Sequence, residues 1–112
     1  MFHDKSVVLR ATGGLRLRES AVNLAAMMSL CSSALKKPIP PDTAFIADVG
    51  LTGELKSAPA LSVRLRELSR MGFRRVFVAR GSAAGAEGAK GLKVMALRDI
   101  KGVIEEVFFR EA

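Results

Sequence analysis

TAFIADVGLTGELK, residues 43–56, is the stretch that decides the fold. Residues 43–51 are apolar at nearly every position, which is typical of a central strand buried on both faces. Thr52 and Gly53 then provide a tight-turn signal, and residues 54–56 predict a short returning strand. The stretch therefore predicts a buried strand that ends in a hairpin.

Helical patterns lie on both sides of this stretch. A long helix is predicted to begin near Ser20, whose hydroxyl would be the N-cap, and to end before Pro38. Apolar residues surround it, so burial is predicted around most of its circumference. A second helix is predicted to begin at Pro59 and to end at Gly72. Its predicted core stripe consists of Leu61, Leu65, Leu68 and Met71.

The remaining segments complete an alternation of strands and helices. Residues 74–80 and 92–97 predict two more strands, separated by a glycine-rich loop at 81–91. The closing helix has an apolar face at helical spacing, formed by Ile100, Val103, Ile104, Val107 and Phe108. The order predicts an α/β (α+β) fold in one domain, residues 1–112. It would have a mixed sheet with βαβ crossovers, two core helices and a C-terminal helix.

Composition narrows the classes of function. The chain has 112 residues, 18 Lys and Arg against 11 acids, and a net charge of +7, which favours a polyanionic partner such as nucleic acid. A basic surface that only aids solubility is the alternative. No apolar run approaches the roughly 18 to 20 residues of a membrane span, and the start, MFHDKS, is unlike a secretory signal. One cysteine and one histidine argue against a disulfide or a metal cluster, so a cytoplasmic protein without membrane contact is expected.

Motifs for catalysis or nucleotide binding are weak. In the glycine-rich loop Ala89 separates Gly88 from Lys90, so the Gly-Lys-Ser/Thr order of a phosphate loop is missing. Cys31 lies in the predicted apolar helix, where a thiol packs as a small hydrophobe. The neighbouring hydroxyls of Ser29, Ser32 and Ser33 are predicted to bond back to helix carbonyls. The residues alone therefore point to no nucleophile.

Two runs of the chain resemble the C-terminal domain of the bacterial DNA repair protein RadA, also called Sms. They are TGGLRLRESAVNLAAMMSLCSSALKKPIPPD, residues 12–42, and DVGLTGELKSAPALSVRLRELSRMGFRRVFV, residues 48–78. The chain departs from the family pattern at Ser20, Asn23 and Ala79. The resemblance implies that the chain is a fragment, partial at its N-terminus. The family's zinc and ATPase modules, with their Zn, ATP and Mg, would lie upstream, and no cofactor is expected in this chain.

The RadA domain in turn is similar to the proteolytic domain of Lon proteases, which use a serine at the start of the long helix and a lysine after the hairpin. The resemblance places the nucleophile position on Ala21 and the lysine position on Arg64. Alanine has no nucleophile, and arginine does not release its proton. A pseudo-protease without catalytic residues is therefore expected. The alternative is an active peptidase of the Lon type that relies on Ser20 and an unassigned base.

Binding of DNA through phosphates is the remaining expectation, and the resemblance implies a hexameric ring ATPase that binds single-stranded DNA and drives branch migration. Glu67 is expected to neutralise Arg64. With no Trp or Tyr and six core-directed Phe, contact with bases is not expected. A pure oligomerisation module without DNA contact is a further alternative. The predicted DNA-binding residues are Arg16, Arg18, Arg66, Arg70, Arg74 and Arg75.

Overall fold

The computed structural model describes residues 21–85 and 90–110, which form two three-stranded sheets and three α-helices. The strands are β1 (Ala21–Asn23), β2 (Thr43–Ile46), β3 (Asp48–Gly50), β4 (Leu55–Lys56), β5 (Arg75–Ala79) and β6 (Lys93–Leu97). The helices are α1 (Leu24–Leu35), α2 (Leu61–Arg70) and α3 (Ile100–Ile104). One sheet is antiparallel with the order β1-β3-β4, and the other is parallel with the order β2-β5-β6. The predicted α/β class is confirmed.

The decisive stretch is divided between the two sheets. A single strand was predicted over residues 43–51, but the ladder stops at Ala47, which is buried between β2 and β3. The carbonyl of Ala47 accepts a hydrogen bond from the amide of Leu24 at 2.9 Å, so it is bonded to the start of α1 rather than to a strand. Two small sheets therefore replace the predicted mixed sheet.

The start of α1 was predicted too early. Residues 21–23 form β1, paired antiparallel with β3 so that Ala21 lies opposite Gly50 and Asn23 opposite Asp48. Their backbone groups belong to this ladder, so the helix begins only at Leu24. The side chain of Asn23 accepts from the amide of Ala26 at 3.1 Å and is the N-cap. Ser20, the predicted cap, lies outside the described residues.

Helix α1 is buried on one side only. Its buried residues are Leu24, Met27, Met28 and Cys31. Leu30 is 41% exposed, and Ser29, Ser33 and Ala34 are exposed too. The prediction of burial around most of the helix was wrong because apolar composition does not show how many sides of a helix meet another element.

Helix α2 begins two residues after Pro59, because Ala60 adopts a left-handed conformation (φ 56°) immediately before Leu61. Its end was predicted correctly: Gly72 has a φ of +91° and its amide donates to the carbonyl of Ser69. The amide of Phe73 donates to the carbonyl of Leu68 at 3.0 Å, which completes a Schellman motif.

The parallel sheet has a hydrophobic cluster on each face, because successive side chains of a strand point to opposite sides. On one face Phe45 stacks on Phe77 with ring centroids 5.6 Å apart, and α1 and α3 cover the strands. On the other face Val76 and Val78 pack with Leu65 of α2. Helices therefore lie on both faces of this sheet, as the predicted crossovers require.

The C-terminal helix has the predicted buried face, with Val103 and Ile104 almost fully buried. Residues Glu105–Phe109 continue α3 as a π-helical turn, and Lys37 donates to the carbonyl of Phe108 at 3.1 Å. The Lys37 ammonium also lies 3.9 Å from the centroid of the Phe109 ring. Phe109 is 49% exposed, so the prediction that the Phe side chains all point to the core was wrong at this position.

The VGLTGE hairpin between β3 and β4 is explained by packing and backbone geometry. The amide of Gly53 donates to the carbonyl of Gly50 at 3.0 Å, and Gly53 has a φ of +90° that favours glycine. A Cβ on Gly50 would meet the carboxylate of Glu54, which is the movable end of a flexible side chain. The hydroxyl of Thr52 donates to the same carboxylate and lowers the pKa of Glu54 below its usual value. The amide of Ile100 donates to the carbonyl of Gly53 at 2.8 Å, which ties the hairpin to α3.

Candidate nucleic-acid interface

The two positions that the Lon resemblance singled out lie on different elements. Ala21 is in β1, three residues before α1, and not at the helix start where the resemblance expected a nucleophile. Arg64 is exposed on α2. Of the serines near Cys31, Ser32 donates to the carbonyl of Lys37, so its bond runs forward to the end of α1 rather than back to a helix carbonyl as predicted.

The arginines of α2 lie on two flanks of the helix. At about 100° per residue, Arg66 and Arg70 are separated by about 40°, whereas Arg64 and Arg66 are about 160° apart. All three are exposed, since Leu65 takes the inward position. Glu67 pairs with Arg70 at 2.8 Å, so the expectation that it would neutralise Arg64 was wrong.

The amino ends of the parallel strands bring a second group of cations together. Arg75 of β5 lies opposite Lys93 of β6 on one side and Thr43 of β2 on the other. Arg75 is half-buried, with its guanidinium 5.1 Å from the centroid of the Phe77 ring and 3.4 Å from the hydroxyl of Thr43. Arg74, Lys90 and Lys93 are exposed. Arg75 therefore packs on the sheet, while its neighbours face solvent.

The end of α2 lies at this same edge of the sheet. The hydroxyl of Ser69 donates to the carbonyl of Lys90, and the amide of Lys93 donates to the carbonyl of Arg74 at 2.8 Å. The cations brought together here, which we call the basic edge, are Arg70, Arg74, Arg75, Lys90 and Lys93. Arg66 lies one helical turn before Arg70 on the same flank.

Two acids lie beside the basic edge. Glu67 pairs with Arg70, and Asp42 accepts the amides of Arg74 and Arg75 through its backbone carbonyl at 3.0 and 3.2 Å. Arg66 and Arg74 form no ion pair with any residue in the described ranges. Among the residues that the structure describes, five cations against two acids give the edge a net positive charge, which is the electrostatic requirement for binding phosphates.

The structure thus brings four of the six predicted DNA-binding arginines to one region, while Arg16 and Arg18 lie outside the described residues. Sequence reasoning missed Lys90 and Lys93. The signal was available in part, because parallel strands that follow one another in the chain begin at the same edge of their sheet. The sequence pattern does not give the strand register, and it is this register that sets Lys93 opposite Arg75.

No three His, Cys, Asp or Glu side chains within 21–85 and 90–110 are arranged to hold a metal ion. None of the helices in that part of the chain is both long and apolar enough to cross a membrane.

Comparison with known proteins identifies relatives with one shared description. The chain is 34% identical over 106 residues to the DNA repair protein RadA of Pseudomonas aeruginosa, covering 95% of this chain and 23% of that protein. The RadA protein of Listeria monocytogenes is 32% identical over 100 residues, covering 89% and 22%. That of Streptococcus pneumoniae is 30% identical over 108 residues, covering 96% and 26%. The chain spans about a quarter of the length of these curated relatives. No family model matches it.

Proposed function

We propose that the chain is a non-catalytic DNA-binding domain of a DNA repair protein. Nearly the whole chain is related to about a quarter of the DNA repair protein RadA, which is consistent with the C-terminal domain of that protein. Phosphates of the DNA backbone would lie along the basic edge and the flank of α2 that carries Arg66. The observation that carries the proposal is the convergence of these cations from α2, β5 and β6 on one region with few acids.

The absence of catalysis follows from the residue types at the dyad positions. A methyl group at Ala21 has no nucleophile, and the guanidinium of Arg64 does not act as a base at neutral pH. In this proposal the Lon-like domain is a scaffold, and it acts through its shape and its positive potential.

The finer role rests on the resemblance to RadA. We place this domain in a ring of the full-length protein, where it would supply subunit contacts and hold DNA during branch migration of recombination intermediates. The basic edge would then contact DNA from several subunits at once, and avidity would raise the affinity above that of a single domain.

A charge-reversal experiment tests DNA binding. The affinity of the chain for a fluorescein-labelled oligothymidine is measured by anisotropy over a series of salt concentrations. The double variant Arg66→Glu/Arg74→Glu is expected to bind roughly tenfold more weakly at low salt. Its log–log salt slope should fall by about 1.4, since each lost phosphate contact on single-stranded DNA accounts for about 0.7.

The matched control changes the net charge by the same amount at another place. Lys36 directly follows α1 and Lys101 lies in α3; both are exposed, and neither belongs to α2 or to the basic edge. The variant Lys36→Glu/Lys101→Glu should retain most of the affinity. An equal loss in both double variants, or no binding by the wild-type chain, would contradict the proposal.

The peptidase alternative has a separate test. A fluorophosphonate probe is expected to leave the chain unlabelled, whereas labelling that disappears in Ser20→Ala would show an active serine and overturn the assignment as non-catalytic. The oligomerisation alternative predicts no salt-dependent binding of DNA, so the anisotropy series decides it as well.

A further inference from the structure

Met71 is the most exposed large hydrophobic residue among those that the structure describes, with 67% of its surface accessible. Its spacing from Leu61, Leu65 and Leu68 predicted a place in the core stripe of α2. Met71 is instead the C-cap that follows Arg70, still in a right-handed helical conformation, and its side chain is exposed. An apolar side chain in this position loses the stabilisation of burial, which raises the question of what it contacts.

The turn that presents Met71 is firmly held on both sides. The amide of Met71 donates to the carbonyl of Glu67 at 2.9 Å, and the next two amides close the Schellman motif. Phe73 packs into the cluster beneath α2 and fixes the outgoing chain. A Cβ on Gly72 would meet no atom within 4 Å, so the space around the tip of the turn is open. Met71 therefore projects from a fixed backbone into solvent.

The surroundings of the turn are basic. Arg70 precedes Met71 directly, and Arg74 follows three residues later; both are exposed. The turn at Lys90 and Gly91 lies alongside, since the hydroxyl of Ser69 donates to the carbonyl of Lys90. An exposed thioether thus lies within a group of cations that suits the phosphates of a nucleic acid and does not suit a hydrophobic partner.

We propose that Met71 packs against the face of a nucleobase when the phosphates of a DNA strand bind the basic edge. Proteins insert apolar side chains, including methionine, between stacked bases, and a polarizable sulfur packs favourably on aromatic rings. Single-stranded DNA presents such a face without the cost of unstacking a duplex. The contact would be tolerant of sequence, because every base has an aromatic face. This inference rests on the proposed function and extends it from phosphates to bases.

The experiment is a cycle between the side chain and the base. Wild type and Met71→Ala are titrated with oligothymidine and with an abasic oligonucleotide of the same length and charge. Met71→Ala is expected to bind oligothymidine roughly two- to tenfold more weakly and the abasic strand with unchanged affinity. Wild type should prefer oligothymidine by the same factor. Leu51→Ala, which truncates a side chain 57% exposed at the tip of the β3–β4 hairpin, is the matched control and should change neither affinity.

The outcomes separate the two proposals. Equal losses on both strands, or no loss on either, would overturn the base contact while leaving the phosphate surface intact. If wild type bound neither strand, both proposals would fail. If Met71→Ala lowered the mass of the DNA-free protein in sedimentation, the side chain would belong to a contact between copies of the chain, and the base contact would again be overturned.

Discussion

The two faces of the parallel sheet differ in what they contribute. On one face α1, α3 and the antiparallel sheet enclose a cluster of twelve buried residues, and on the other α2 covers a cluster of five. The face with the smaller cluster is covered by α2, whose arginines are exposed, and the last residue of α2, Arg70, belongs to the basic edge. Burial is therefore greater on the face that α1, α3 and the antiparallel sheet cover, whereas α2 leaves its arginines exposed to solvent.

Adjacent residues of β5 show the division within one strand. Val76 and Phe77 are both fully buried, but Val76 packs with α2 and Phe77 with α1 and α3. Strand β5 therefore contributes side chains to both clusters, whereas each helix packs on one face of the sheet only. We expect substitutions on the α1 side to alter stability most, and substitutions on the α2 side to alter binding most.

The largest expected effect is on the free energy of unfolding, when one buried leucine on each face of the parallel sheet is truncated to alanine. Leu24→Ala in α1 should lower the free energy of unfolding by about 3–5 kcal/mol, because the site is enclosed and relaxes little. Leu65→Ala in α2 should cost about 2–3 kcal/mol, since this cluster contains fewer buried residues. Chemical denaturation followed by circular dichroism measures both. A larger loss for Leu65→Ala than for Leu24→Ala would show that the α2 face contributes more to stability than the α1 face, contrary to this expectation.

A smaller effect is expected from the acid that partly neutralises the basic edge. Glu67 pairs with Arg70 in an exposed geometry, and such surface pairs contribute about 0–1 kcal/mol to stability. Glu67→Gln should leave the unfolding midpoint nearly unchanged and raise the affinity for oligothymidine roughly twofold at low salt. Glu105→Gln, at an exposed position after α3, should leave the affinity unchanged. Weaker binding by Glu67→Gln would show that the carboxylate positions Arg70 for DNA.

The smallest effect concerns the hairpin on the α3 side. The folded state lowers the pKa of Glu54 below 4.5, chiefly through the Thr52 hydroxyl, so its contribution to stability is complete above the unfolded pKa. That contribution is lost as the pH falls through the folded pKa. Thr52→Val should flatten the decline in unfolding free energy as the pH falls below the unfolded pKa of Glu54, while Thr52→Ser retains it. Identical slopes in the two variants would rule out this hydrogen bond as the cause.

Much of the secondary structure could be predicted from local pattern. The apolar strands at β5 and β6, the end of α2 at Gly72 and the buried face of the C-terminal helix all follow from periodicity and glycine geometry. The errors lie where tertiary contacts compete with those patterns. Residues 21–23 have a helical pattern, but their backbone pairs with β3. Ala47 interrupts the predicted strand because its carbonyl accepts the amide of Leu24.

The candidate site divides in a similar way. Sequence identified arginines on α2 and before β5, because charged side chains between apolar positions remain at the surface. It did not identify Lys90 and Lys93, which join the edge only through the parallel register and the hydrogen bond from Ser69. It also assigned Met71 to the core, because spacing alone does not show whether another element covers the last turn of a helix.

By itself, the sequence determined the alternation of elements and the excess of positive charge, since these depend on composition and local spacing, and its resemblance to a known family placed the dyad positions on Ala21 and Arg64. Only the tertiary structure decided which cations lie together, which side of α1 is buried and where Met71 points. These features depend on strand register and on the ends of helices, which arise from contacts between residues far apart in the chain.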